Sequence, residues 1–294
     1  MDGVWNITGD HRIVLEAAES FLKTHHYVPE QMIKNKSKIK ANFSVILRDL
    51  VKLKFIQCFG SNFKLSLSGF DCVAINKLRE LGLNEMGSPI GIGKESDIYL
   101  GQFKKKNVAI KAHRLGRSSF NKIEERNLNG EDNWFSANKE SAYNESRYLQ
   151  LFSKLSVPKY YCYCKHMVVM ELLDDYDPLY KVIVDEPEIV SKKMLCFLKE
   201  MWDMGYAHGD FNEFNVMVKG SEIKIIDFPQ CVPTSDEKAV FYLKRDIECV
   251  QKYFWKKNKI ICDDSMFAEI YSQNNIVIDV YRAGFEIFQE KSAV

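Results

Sequence analysis

The chain has 294 residues, 46% of them hydrophobic and 28% charged, with a formal net charge of +1. That length predicts one large domain with a small one, or a single bilobal unit, and the near-neutral balance excludes a uniformly basic or acidic protein. No stretch approaches the roughly 18 apolar residues that cross a bilayer, and Met1 to Asp10 carries no apolar signal core, so neither a membrane span nor secretion is expected.

Along the chain, residues 11–24 place Ile13, Val14, Ala17, Ala18, Phe21 and Leu22 on one helical face. A second amphipathic helix is expected from Asn42 to Leu53. The alternating Phe55 to Phe59 and Phe63 to Leu67, split by Gly60-Ser61-Asn62, read as a β-hairpin. A helix from about Ser68 to Leu81 follows, with Gly82 as its stop. Helices followed by a hairpin wing predict a winged-helix domain over residues 1–85. Between Lys34 and Lys64 there are eight basic side chains against Asp49 alone, about +7. Such a segment suits a polyanion, and Lys36, Lys38, Lys40, Lys52, Lys54 and Lys64 are the candidate nucleic-acid contacts; a solvated lysine face, or a winged helix used for protein contacts, is the competing reading.

After Pro89 the pattern changes. Strands are expected at 97–101 and 108–113, a mobile polar loop over 117–133, a helix from Phe135 to Phe152, and strands near 159–164 and 166–172. A further helix is expected from Ile189 to Met204. The eight cysteines are scattered, with only Cys162 and Cys164 close together, so they read as reduced structural residues rather than zinc ligands.

Gly91 and Gly93, in Gly91-Ile92-Gly93-Lys94-Glu95-Ser96, let backbone N–H groups approach phosphate. Alone the pattern suits any tight turn. Lys111 ends the apolar strand Val108-Ala109-Ile110 and must aim its ammonium at a partner, though by itself this is a common surface pattern. The stronger signal is His208-Gly209-Asp210-Phe211-Asn212-Glu213-Phe214-Asn215 followed by Ile225-Ile226-Asp227-Phe228. Asp210 and Asn215 stand five apart and Asp227 twelve further on, the spacing that supplies a base carboxylate and two oxygen ligands for Mg2+.

In these stretches the chain resembles the RIO atypical protein kinases, specifically their second subfamily. The resemblance extends to Lys111-to-Phe120, Asp227-Phe228-Pro229-Gln230, Ser68-Gly69-Phe70-Asp71 and Phe241-to-Asp246. It implies an α+β, bilobal protein-kinase-like fold, reduced by loss of the activation segment, with an N-lobe over 86–172 and a C-lobe over 173–294 behind the winged helix. ATP and Mg2+ are the implied cofactors. Lys111 would meet the α/β-phosphates with Glu145 as its carboxylate partner, Glu140 being the runner-up. Lys94 and Ser96 would face the phosphates, and Glu171 and Leu173 would offer backbone groups to adenine. Asp210 would be the catalytic aspartate, Asn215 and Asp227 the metal ligands, and Asp227 the transient phosphoryl acceptor.

About ten residues, Phe228 to Glu237, separate Asp227 from the next helix, a span of at most roughly 35 Å, too short for a peptide-holding loop. An ATPase is therefore expected over a peptide kinase. The resemblance also implies a serine/threonine-kinase classification and work on the precursor of the small ribosomal subunit and its rRNA. A monomer in the cytoplasm, and in the nucleus as well, with no membrane partner, is expected. Many members carry a C-terminal extension that this chain, ending at Val294, nearly lacks. Two rivals remain: a small-molecule phosphotransferase of aminoglycoside-kinase type, and a non-enzymatic rRNA-binding assembly factor.

Overall fold

The computed structural model describes Val4, residues 7–115 and residues 131–274. The chain divides into two compact units, Met1–Ser146 with Tyr161–Leu172, and Arg147–Tyr160 with Leu173–Val294.

The first unit opens with α1 (Gly9–Glu19), where the Thr8 hydroxyl accepts the His11 N–H. This helix ends five residues short of the expected Thr24. β1 (Val28–Pro29) and α2 (Glu30–Ser37) follow, neither of them foreseen. Pro29 supplies a fixed φ before α2, and Lys38 at φ 59° ends it. α3 (Phe43–Lys52) buries Phe43, Ile46, Leu47 and Leu50, the stripe its periodicity requires. β2 (Ile56–Phe59) and β3 (Asn62–Leu65) form the wing, with Phe59 opposite Asn62 and Gly60 at φ 64° in the turn. β1 adds to the free edge of β3.

α4 (Leu67–Leu81) starts at Ser66, whose hydroxyl accepts the Gly69 N–H at 3.0 Å, a cap that contributes about 1 kcal/mol. It ends at Gly82 with φ 119°, where a side chain would be strained. Phe70 to Asn76 is buried without a break, so α4 is the spine of the unit.

Between Gly82 and residue 97 no strand is expected, yet Leu83–Ile92 forms β4, at the edge of a five-stranded sheet ordered β4-β5-β6-β8-β7. β5 spans Ser96–Phe103, β6 Lys106–His113, β7 Tyr160–Cys164 and β8 Met167–Glu171. Pro89 is tolerated because β4 is an edge strand, and its pairing with β5 shifts register three times between Leu83 and Gly91. One hydrophobic core runs from the winged helix into the sheet, through Leu50, Phe70, Ile75, Val108, Ile110 and Val169. α5 (Glu131–Leu151) begins four residues ahead of expectation; residues 116–130, most of the expected mobile loop, lie outside the described residues.

The second unit packs α6 (Pro187–Asp203) against α7 (Ala239–Asn258), and Leu195, Leu198, Ile247 and Val250 of the two helices are buried. β9 (Asp177–Pro178), β11 (Val216–Lys219) and β12 (Glu222–Ile225) form a sheet ordered β12-β11-β9. β10 (Tyr206–Ala207) pairs with β13 (Val232–Pro233), and α8 (Ala268–Asn274) closes the described part. Among the described residues no helix is long and apolar enough to cross a membrane.

Candidate active site

The glycine-rich turn joins β4 to β5. Gly91 pairs with Ile98 and Ile92 with Asp97, and the Gly93 N–H donates to the Ser96 carbonyl at 2.8 Å. Lys94 is exposed and Ser96 half-buried at this tip. Lys111, on β6, donates to Glu145 Oε1, on α5, at 2.9 Å, and the two are 7% and 1% exposed. Glu140 is exposed, which leaves Glu145 as the partner. The other oxygen faces a second side chain: His113 Nε2 stands 2.8 Å from Glu145 Oε2, without the geometry of a hydrogen bond, and the Ser141 hydroxyl is 2.9 Å from His113 Nδ1. Lys111 and His113 share one face of a strand, Ser141 and Glu145 one face of a helix, so two short spacings interlock. His113 and Ser141 carry no motif of their own; their only sequence signal is the i,i+2 spacing to Lys111 and the i,i+4 spacing to Glu145. Glu171 ends β8 opposite Val108, and the Leu173 carbonyl accepts the Tyr176 N–H at 3.3 Å.

In the second unit the loop after β10 carries Asp210. Its carbonyl accepts Asn215 Nδ2 at 2.9 Å, and its Oδ2 stands 3.2 Å from the same nitrogen. Asn212 Nδ2 donates to the Asp210 carbonyl and to its Oδ1, both at 3.1 Å. With the Asn215 amide nitrogen turned to Asp210, its Oδ1 is the atom of that side chain able to meet a cation. The β11–β12 hairpin pairs Val216 with Ile225, and the Ile226 N–H donates to the Asn215 carbonyl at 3.0 Å. Asp227, the next residue, adopts φ 74°, a left-handed conformation that aspartate tolerates better than most residues. Burial and then the charge of Asp227 push the Asp210 carboxyl above its usual range. Burial likewise lowers His208 to about 4, so it is neutral, and its Nδ1 accepts the Asp210 N–H at 3.3 Å.

Gly209 adopts φ 81°, and a Cβ there would stand 2.7 Å from the Gln230 carbonyl oxygen. Only glycine fits. Behind the loop, Asp246 of α7 accepts the N–H groups of Gly209 at 2.8 Å and Phe211 at 3.0 Å, while Arg245 donates to the Gly209 carbonyl. Burial pushes Asp246 up to about 7, against the pull of those two N–H donors.

A model of the RIO domain matches residues 97–266, and a model described as Rio2, N-terminal, matches residues 4–80. The chain belongs to the Rio2 family. Among its Rio2 relatives are a serine/threonine-protein kinase RIO2 of Caenorhabditis elegans, 32% identical over 95% of this chain and 56% of that one. The counterpart in Saccharomyces cerevisiae is 32% identical over 86% of this chain and 65% of its own length. That of Schizosaccharomyces pombe is 31% identical over 94% and 86%. The chain thus spans little more than half to two thirds of the first two relatives. A solved structure of the Rio2 kinase–ADP/Mg2+–phosphoaspartate complex of Chaetomium thermophilum matches the fold with a TM-score of 0.79, over 99% of this chain and 98% of that one, at 24% identity.

In this Rio2-family chain the donor set fits Mg2+. Asn215 and Asp227 offer hard oxygen atoms, and the repulsion from Asp227 that adds to burial in raising Asp210 is what a divalent cation relieves. Each predicted site residue among Gly91, Gly93, Lys94, Ser96, Lys111, Glu145 and Glu171 lies in the first unit; Leu173, Asp210, Asn215 and Asp227 lie in the second. Lys111 meets Glu145 directly, and Asp210 meets Asn215 directly. Lys36, Lys38, Lys40, Lys52 and Lys54 are exposed, and Lys64 is half-buried with its ammonium 5.9 Å above the Tyr27 ring.

Proposed function

We propose that this chain is an ATP- and Mg2+-dependent RIO-type phosphotransferase that acts chiefly as an ATPase, with Asp227 as transient phosphoryl acceptor. The observation that carries this reading is the grouping of Asp210, Asn215 and Asp227 around one hairpin, with the Asp210 carboxyl raised by burial and then by the charge of Asp227. Lys111, fixed by Glu145, would hold the α/β-phosphates, the Gly91–Ser96 turn would offer N–H groups to phosphate, and Glu171 and Leu173 would meet the adenine edge. Mg2+, held by Asn215 and Asp227, would neutralise phosphate charge.

In the first step a carboxylate oxygen of Asp227 bonds to the γ-phosphorus. The bond from that phosphorus to the β–γ bridging oxygen breaks, and ADP leaves with the electron pair. In the second step water attacks the acyl phosphate and gives its proton to Asp210, which releases phosphate and restores the Asp227 carboxylate.

The preference for an ATPase over a peptide kinase is supported by the segment after Asp227. Its Val232 and Pro233 pair with Ala207 and Tyr206, and the Thr234 N–H donates to the Gly205 carbonyl at 2.8 Å. A segment tied to its own unit is poorly suited to hold a peptide, and an unheld hydroxyl gains little from the site. The role proposed is maturation of the small ribosomal subunit, by a monomer in the cytoplasm and nucleus. The exposed lysines of the winged helix are the proposed contacts to rRNA phosphates. The test incubates the protein with labelled ATP, a basic peptide and a ribosomal precursor. Label is expected as free phosphate, with little on the peptide; multiple-turnover labelling of the peptide would overturn the ATPase reading.

A further inference from the structure

Arg114 stands immediately after β6 and is 6% exposed, yet its guanidinium has no place in the chemistry above. Its backbone N–H donates to the Glu95 carbonyl at 2.6 Å, inside the turn between Gly93 and Ser96. Its Nε donates to Asp97 Oδ2 at 3.3 Å, on the first residue beyond Ser96. Its Nη2 donates to Asp71 Oδ2 at 2.8 Å, and Asp71 belongs to α4 of the winged helix. The other Asp71 oxygen lies 2.8 Å from His166 Nε2, and the His166 ring stacks on Phe70 with centroids 4.3 Å apart.

We infer that Arg114 is a positioning residue for the glycine-rich turn, and that Asp71 anchors it, so that the winged helix sets the geometry of the phosphate-facing loop. The inference rests on the ATP-binding reading given above. A guanidinium is suited to this because its planar fork serves two carboxylates in fixed directions; an ammonium is a single point of charge. Burial alone would raise the Asp71 carboxyl, but the Arg114 charge and the His166 contact hold it below the usual range, so the anchor is ionised. A buried triad of this kind is seldom the most stable filling for its volume, and its contribution is to fix orientation. Here the fixed element is the exposed tip with Lys94 and Glu95, tied through Glu95 and Asp97 to a helix whose neighbouring residues are buried in the core. By linkage, whatever ligand shifts α4 alters nucleotide affinity, and nucleotide alters affinity at the winged helix by the same factor.

The test uses the full chain with Arg114→Lys, Asp71→Asn and the double variant. It measures thermal unfolding, Mg-ATP affinity and hydrogen exchange of the Gly91–Ser96 amides without nucleotide. Arg114→Lys is expected to weaken Mg-ATP binding by about tenfold or more, in line with the cost of small misplacements in phosphate sites. Exchange in Gly91–Ser96 is expected to quicken while that of β6 and β8 stays as in the wild type. Asp71→Asn, an isosteric change away from the turn, is expected to do the same to a smaller extent. The double variant is expected to lose less than the sum of the two, because both act through one fork. Should Arg114→Lys fail to fold, the Asp71→Asn result decides. Wild-type affinity and exchange in a folded variant would overturn the inference. A wild-type protein that binds no ATP would overturn the ATP reading itself, and this inference with it.

Discussion

Asp246 Oδ2 accepts the Gly209 N–H at 2.8 Å, so a carboxylate buried in α7 holds the loop that carries Asp210. The second oxygen takes the Phe211 N–H, and the two bonds flank the Asp210 peptide on both sides. Asp246→Ala leaves two buried N–H groups without acceptors, at about 1–3 kcal/mol each. We expect the melting temperature to fall and turnover to drop by about a hundredfold, because Asp210 loses its position. Asp246→Asn, which keeps one acceptor oxygen, should lie between the two. Calorimetry with steady-state ATP hydrolysis measures both effects; wild-type turnover in a folded Asp246→Ala protein would remove Asp246 from the account.

Two buried groups near this loop give stability a pH dependence of opposite sign. Asp246 has its folded pKa raised to about 7, so its contribution is full below the ordinary carboxylate value near 4 and is lost as pH rises through 7. His208 has its folded pKa lowered to about 4, so its contribution is full above its ordinary value near 6.5 and is lost as pH falls through 4. The two oppose each other between about pH 4 and 6.5. In Asp246→Asn the acid-side loss from His208 should stand alone, and in His208→Asn the stability should instead decline toward neutral pH. Denaturant unfolding at pH 5 and pH 7.5 separates them; equal slopes in the two variants would show that neither group titrates as argued.

Glu145→Gln keeps the shape of the Lys111 partner while removing its charge. Removing one charge from a buried pair typically costs about 3–5 kcal/mol. The Gln variant should lose part of that, because it retains a carbonyl for Lys111 Nζ. We expect weaker ATP binding and a turnover reduced by about tenfold to a hundredfold. Glu140→Gln, at an exposed position on the same helix, should change neither. Equal losses in the two variants would contradict the pairing.

If the exposed lysines grip phosphates, the affinity for ribosomal RNA should fall steeply with salt, by a slope close to the number of contacts. Replacing Lys36, Lys38 and Lys40 with Gln should flatten the slope by about two to three units. Filter binding from low to moderate salt measures it, and an unchanged slope would assign these lysines to a solvated face.

The helices and hairpins were legible where periodicity was strong. The stripe Phe43, Ile46, Leu47 and Leu50 is helical in sequence and in space, and the Gly60–Ser61 turn fixes the wing register. The order Lys111, Asp210, Asn215, Asp227 was legible because loop chemistry is written in short motifs. What was not legible is what long-range contact decides. β4 reads as a linker because Gly87, Pro89 and Gly91 break alternation; an edge position with register shifts accommodates all three. α2, of eight residues, owes its stability to packing of Ile33 rather than to its lysine-rich sequence. Asp246 and Gly209 lie 37 residues apart, and Asp71 and Arg114 lie 43 apart, so their bonds leave no local pattern to find.

The decisive step is the proposed transfer of the γ-phosphoryl group to Asp227. The direct measurement incubates the protein with γ-labelled ATP and Mg2+, quenches in acid and follows protein-bound label through a mild alkaline or hydroxylamine step, which cleaves acyl phosphates and spares phosphoserine. We expect a labelled protein that loses its label in that step, and no such species, with turnover abolished, in Asp227→Ala. Label that survives the step, or wild-type turnover in Asp227→Ala, would contradict it.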